Sequence, residues 1–150
     1  MLLPICIIAD FRTVDGGSGL ISVTEVIQLS DPGEHMPYPV TRPQDRLLTG
    51  ADLDPESVQQ TADGSFWVGE EFYPSLVHIS AAGELMSPPF MLDGLASVGN
   101  PQGKPATLPR SKGFEGMAMS PDQQLLYPML DRKSTRLNSS HSSVSRMPSS

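Results

Sequence analysis

The sequence predicts an all-β protein built from antiparallel strand–turn–strand units, and three observations carry that prediction. First, one unit is written twice: a strand at Asp54-Pro55-Glu56-Ser57-Val58, a turn at Ala62-Asp63-Gly64 and a strand at Ser65–Glu71 return as Gly113-Phe114-Glu115-Gly116-Met117, Pro121-Asp122-Gln123 and Gln124–Leu130. A shift of 59 positions (115 minus 56) carries Glu56 onto Glu115, Val58 onto Met117, Asp63 onto Asp122 and Phe66-Trp67-Val68 onto Leu125-Leu126-Tyr127. Second, the 150 residues hold 15 Pro and 13 Gly but only 6% aromatics, a turn-rich composition that suits β structure better than packed helices. Third, no segment sustains the 3.6-residue apolar period of an amphipathic helix. Repeated strand–turn–strand units are how propellers and other stacked β architectures are written. The expected fold is therefore an incomplete β-propeller-like fragment: antiparallel meander blades joined by long Pro/Gly-rich loops.

Each element follows from local chemistry. Leu3–Phe11 is a short Ile-rich run suited to a buried strand. Asp15-Gly16-Gly17-Ser18-Gly19 supplies turn chemistry, because glycine tolerates the positive φ of tight turns. Leu20–Leu29 then alternates and is rich in β-branched residues, so the two runs are expected to pair as a hairpin. Ser30–Pro43 holds four prolines, each lacking a backbone donor, and cannot be a central strand. After the first copy of the repeat, Ser75-Leu76-Val77-His78-Ile79-Ser80 reads as a third strand, giving three-quarters of a propeller blade. Ser87–Arg110 reads as a second Pro/Gly-rich loop, which lengthens the repeat beyond the usual ~40–50 residues of a blade.

The composition changes abruptly at Asp131. Back-translated in one frame, Asp131–His141 and Ser145–Ser150 give two consecutive segments of a common short-read sequencing adapter. Residues 131–150 are accordingly expected to be a non-native, disordered tail, the other reading being a natural Ser-rich tail. On that expectation His141 is no ligand, and Arg132, Lys133 and Arg136 form no basic patch. The remaining residues, 1–130, read as one partial domain, open at both ends. They hold six Lys plus Arg against sixteen Asp plus Glu, a net charge of −10 where the whole chain has −7. Such acidity argues against nucleic acid or an anionic membrane surface as partner and suits either simple solubility or cation binding. No apolar run approaches the ~18 residues of a membrane span. The single cysteine, Cys6 between Ile5 and Ile7, allows no internal disulfide and reads as a buried thiol. Oligomeric state and substrate leave no mark in the sequence.

The chemistry lies in the carboxylates. On an extended chain Asp52, Asp54 and Glu56 alternate with Leu53 and Pro55 and share a face. Clustered oxygens of that kind suit a hard cation such as Ca²⁺; equally, an acidic strand edge deters aggregation, and the spacing leaves both readings open. Glu70-Glu71 ends a strongly apolar strand, where charge is costly unless paired, coordinated or solvated. Neighbours along a strand face opposite sides, so one of the two points inward, and the spacing does not say which. Asp63 and Asp122 read as turn residues, Trp67 as core and His78 as a structural histidine. There is no Gly-x-Ser-x-Gly, His-Glu-x-x-His, Cys-x-x-Cys or P-loop, hence no recognisable catalytic nucleophile or base.

Gly50-Ala51-Asp52-Leu53-Asp54-Pro55-Glu56-Ser57, Phe66-Trp67-Val68-Gly69-Glu70-Glu71-Phe72 and Gly113-Phe114-Glu115-Gly116-Met117-Ala118 resemble, in order, the signature segments of the phytase-like family. The resemblance spans about Asp10 to Leu130 and implies a β-propeller-like domain, hydrolysis of a small phosphoester or ester, and an exported parent protein. It also places Asp54, Glu56, Glu71 and Glu115, preceded by Asp52, at the family's acidic positions, and the first expectation is that Asp52, Asp54, Glu56, Glu71 and Glu115 are ligands of a Ca²⁺ ion that activates water. Where the family more often has Asp-Glu, an aromatic and Gly-Pro, this chain has Glu70-Glu71-Phe72-Tyr73-Pro74. The competing expectations are a non-catalytic propeller with structural Ca²⁺, its carboxylates ion-bound or paired with Arg46 and Arg110, and a truncated product without function.

Overall fold

The hairpin expected at the start forms in the computed structural model, which describes residues 5–12, 20–110, 112–130 and 145–146. Strand β1 (Ile5–Arg12) pairs antiparallel with β2 (Leu20–Gln28), with a register shift at Ile8/Ala9. The glycine turn expected at Asp15–Gly19, the surroundings of the Cys6 thiol and most of the tail set aside above lie outside the described residues. Within that tail, Ser145–Arg146 forms a two-residue strand, β9.

β3 (Pro55–Gln60), β4 (Phe66–Glu70), β5 (Ser75–Ile79) and β6 (Phe90–Met91) form a four-stranded antiparallel meander. The fourth strand completes a sheet that the sequence carried only to three, since Phe90–Met91 falls inside the expected loop. The second copy of the repeat builds β7 (Phe114–Met119) and β8 (Leu125–Leu130), with β9 beside β8. The described residues are thus all-β, without a helix, in antiparallel sheets that do not close into a barrel.

The two copies agree down to an irregularity. Pro55 pairs with Glu70 and Ser57 with Gly69, leaving Glu56 as the extra residue of a β-bulge. Phe114 pairs with Leu130 and Gly116 with Met129, leaving Glu115 in the same position. A bulge leaves a residue out of the ladder and re-aims its side chain, which is why bulges gather beside functional sites. The shift of 59 holds through the bulge and the turn but not through the last strand. Gln60 pairs with Phe66, whereas Met119 pairs with Leu126, so the second turn is one residue longer. β8 therefore matches β4 at a shift of 60 (130 minus 70). Glu70 corresponds to Leu130, and Glu71 to Asp131 rather than to Leu130.

All five residues of β4 are buried because the strand divides two cores. Phe66 and Val68 join Leu29, Leu48, Leu53, Val77 and Ile79 on one side. Trp67 joins Leu76, Phe114, Met117 and Leu126 on the other, which places it in the core as expected. Phe114 is wholly buried, a contribution of about 2–3 kcal/mol relative to an exposed side chain. Two glycines allow the units to meet this closely. A Cβ at Gly69 would stand 2.3 Å from Ser57 Oγ and 2.8 Å from the Phe114 carbonyl oxygen; one at Gly113 would stand 2.2 Å from the Glu70 carbonyl oxygen. Side chains complete the join. Ser57 Oγ donates to the Phe114 carbonyl at 3.1 Å and Gln59 Nε2 to the Met117 carbonyl at 2.9 Å.

Candidate metal centre

The expected acidic residues divide into two groups. Asp54, Glu56 and Glu71 converge, each offering a carboxylate oxygen within 4.8 Å of the others. Asp54 stands just before Pro55, Glu56 on the bulge of β3 and Glu71 just after β4. The chain is closed there by the Glu71 N–H donating to the Asp54 carbonyl at 3.1 Å. Glu115, exposed on the matching bulge of β7, approaches from the second unit closely enough for its charge to act on both glutamates. The Glu56 carboxyl is raised above the ordinary range by burial first, then by the charges of Asp54 and Glu115. Glu71 is raised by burial, then by the charges of Asp54 and Glu56 and by a shared hydrogen bond with Asp54.

Asp52 is held elsewhere. Only 2% exposed, it accepts from Thr41 N at 2.7 Å, Thr41 Oγ1 at 2.7 Å, Thr49 N at 2.8 Å and Thr49 Oγ1 at 2.7 Å. Burial opposes its ionisation, but those four donors prevail and hold its pKa below the usual carboxylate value. The alternation of Asp52 with Asp54 and Glu56 assumed an extended chain. The Asp52 N–H instead closes a turn on the Thr49 carbonyl, and β3 begins only at Pro55.

The orientation of Glu70-Glu71 is resolved. Glu70 continues the side of Phe66 and Val68 and is 1% exposed, while Glu71 takes the opposite side and reaches the cluster. Glu70 Oε1 accepts from the Asp54 N–H at 3.1 Å and Oε2 from the Tyr73 N–H. Burial raises its pKa to about 7, against the pull of those backbone donors and that of Phe72.

The arginines proposed as partners for these carboxylates are engaged elsewhere. Arg46 pairs with buried Asp31, which also accepts from the N–H groups of His35 and Met36 and so organises the proline-rich loop. Arg110 lies 6.0 Å over the Phe72 ring. The Arg46–Asp31 and Arg42–Asp45 ion pairs both lie away from the cluster.

Among the described residues, Ser65 and His78 form a serine–histidine contact that does not make a nucleophile. Ser65 Oγ lies 3.0 Å from His78 Nε2 and 2.8 Å from Asp63 Oδ1. Asp63, only an acceptor when ionised, takes the serine proton, so His78 donates to Ser65 instead of acting as its base. The imidazole stacks on Trp67 at 4.4 Å, and burial lowers its pKa, keeping it neutral. His78 is therefore a structural histidine, as its place in the strand suggested.

The donor set fits a hard divalent cation. It is all carboxylate oxygen, without thiolate or imidazole, the chemistry of a site for a hard cation. Sequence reasoning missed both the paired bulges and the close glycines. The recurrence of Glu56 and Glu115 two residues before Val58 and Met117 was the available signal. No curated protein and no solved structure matches the chain. A family model described as phytase-like, esterase-like activity of phytase, matches residues 7–148, and the chain belongs to that phytase-like family.

Proposed function

We propose that the cluster binds a divalent cation, Ca²⁺ by preference, and serves hydrolysis of a small phosphoester or ester. The convergence of Asp54, Glu56 and Glu71 within 4.8 Å carries this reading. Asp54, Glu56 and Glu71 would hold the ion, and Glu115 would supply a fourth carboxylate from the neighbouring unit. A bound cation supplies charge neutralisation for an anionic ester and a more acidic water. The bulges leave Glu56 and Glu115 out of their ladders, near enough for the Glu115 charge to act on Glu56, and the Glu71–Asp54 backbone bond fixes the third side. The family description supports an ester substrate.

Calcium at a hundredfold excess over Kd should stabilise the chain by about 2–3 kcal/mol, an effect abolished by EGTA and by Glu56→Gln or Glu71→Gln. Phosphate release from phytate or a nitrophenyl phosphate, if the cluster is catalytic, should fall with EGTA and with Glu115→Gln. Turnover insensitive to both would overturn the metal mechanism. A second reading, a structural ion without turnover, draws on the arrangement at Ser65 and His78, which supplies no nucleophile and base. It predicts calcium-dependent melting with no release from any ester tested.

A further inference from the structure

We propose that Glu70 is a positioning residue for the acidic cluster, its buried carboxylate gathering the Asp54 and Tyr73 N–H groups and thereby holding together the segments that carry Asp54 and Glu71. The inference rests on the reading of the cluster as a cation site for its functional consequence, though not for its geometry.

The position would accept an apolar side chain. Glu70 is 1% exposed and continues the side of Phe66 and Val68. Burying a charge there is expensive unless hydrogen bonds compensate it. The second unit shows that the fold does not require the charge: the corresponding residue of β8 is Leu130, at the end of the same bulged strand pair. What distinguishes the first unit is the acidic residue across the ladder, Asp54, where the second has Gly113.

The two N–H groups collected by Glu70 belong to residues that each precede a proline, Asp54-Pro55 and Tyr73-Pro74. Residues before proline are pushed toward extended conformations, and the proline itself adds no donor to a ladder. Beside the Glu71–Asp54 backbone bond, one carboxylate gathers both N–H groups, Oε1 that of Asp54 and Oε2 that of Tyr73. Both oxygens face backbone donors, and Glu70 is not among the three residues that converge for a metal. It acts on the site through Asp54 and the segment after Glu71. Outer-shell groups of this kind orient ligands and tune affinity.

The test uses the full chain and Glu70→Gln, which keeps one acceptor oxygen and turns an amide NH₂ toward the other donor. Amide hydrogen exchange is followed first in EGTA. The wild type should protect the Asp54 and Tyr73 amides. The variant should lose that protection while the ladder amides of Val58 and Val68 keep theirs. Calcium titration should then show affinity about tenfold weaker or more in the variant. Glu70→Leu, copying the second unit, should fold and lose protection at both amides. Unprotected Asp54 and Tyr73 amides in the wild type would overturn the proposal, even if neither variant folds. So would calcium affinity unchanged in Glu70→Gln. A wild type that binds no calcium overturns the cation reading alone, and the exchange measurement still decides the role of Glu70.

Discussion

The two repeat units share a scaffold and differ in what it carries. Each has a bulged first strand with a glutamate on the bulge, a tight turn built on an aspartate, and a second strand. The first unit is covered on both sides of β4 and ends in Glu70 and Glu71. In the second, Tyr127 and Met129 are 38% and 60% exposed, and the position of Glu70 is Leu130. The bulge is thus a property of the unit, whereas the buried carboxylate and the cluster it braces belong to the first unit alone among the described residues. The three carboxylates that converge, Asp54, Glu56 and Glu71, all come from the first unit, and the second brings the charge of Glu115 to bear on Glu56 and Glu71.

The sharpest way to break this comparison is to force the units apart. Gly113→Ala would drive a Cβ against the backbone oxygens of Glu70 and Glu71, at 2.2 and 2.4 Å, where no flexible side chain can yield. We expect a loss of about 3 kcal/mol in urea denaturation, together with the calcium response. Gly116→Ala is the control. Its Cβ would meet only the flexible Met129 Cε, at 2.7 Å, and should cost under about 1 kcal/mol. Equal stability for the two variants would mean that the close approach at Gly113 does not join the units.

A smaller effect separates the turns. Gly64 sits at φ 88°, and Gln123, its counterpart, at φ 57° without being glycine. Gly64→Ala should cost about 1 kcal/mol, since only glycine adopts that backbone freely. Gln123→Gly relieves backbone strain of about 1 kcal/mol but removes the Gln123 Oε1 that accepts from the Ala62 N–H at 2.9 Å, a bond joining the two turns. Such a bond contributes about 1 kcal/mol, so the substitution should be nearly neutral by denaturant midpoint. A clear stabilisation would show that the bond contributes little.

How far the sequence could be read follows from the same contrasts. Strands and turns were legible because alternation and Asp-Gly chemistry are local: Ser75–Ile79 and both repeat copies appear where expected. The proline-rich loop was legible as irregular, but not the burial of Asp31 that organises it, because its partner Arg46 is distant in sequence. Asp54, Glu56 and Glu71 were legible as acidic positions, but their convergence depends on a bulge, a relation between strands that no single strand encodes. Grouping Asp52 with them treated residues 52–56 as extended where a turn intervenes. The offset failed in β8 for a similar reason: one extra turn residue moves a whole strand without changing its apolar pattern. Phe90–Met91 is too short to stand out from the loop around it.

The smallest expected difference lies in acid, between the two turn aspartates. Asp63 Oδ1 accepts from Thr61 Oγ1, Ser65 N and Ser65 Oγ, which lower its pKa to about 2 from an ordinary 3.8. Asp122 Oδ1 accepts from Ser120 Oγ and Gln124 N and is also lowered. A carboxylate depressed in the folded state contributes stability that is complete above its unfolded pKa and is lost as pH falls through the folded one. Both turns should therefore weaken below pH 3.8, with Asp63, the better donated, titrating at lower pH than Asp122. Carboxyl chemical shifts followed through the acid range would order the two midpoints directly. Asp63→Asn should flatten the dependence of Tm on pH more than Asp122→Asn does. If Asp122 titrates at or below Asp63, the third donor in the first turn contributes nothing, and the two turns are equivalent despite their different lengths.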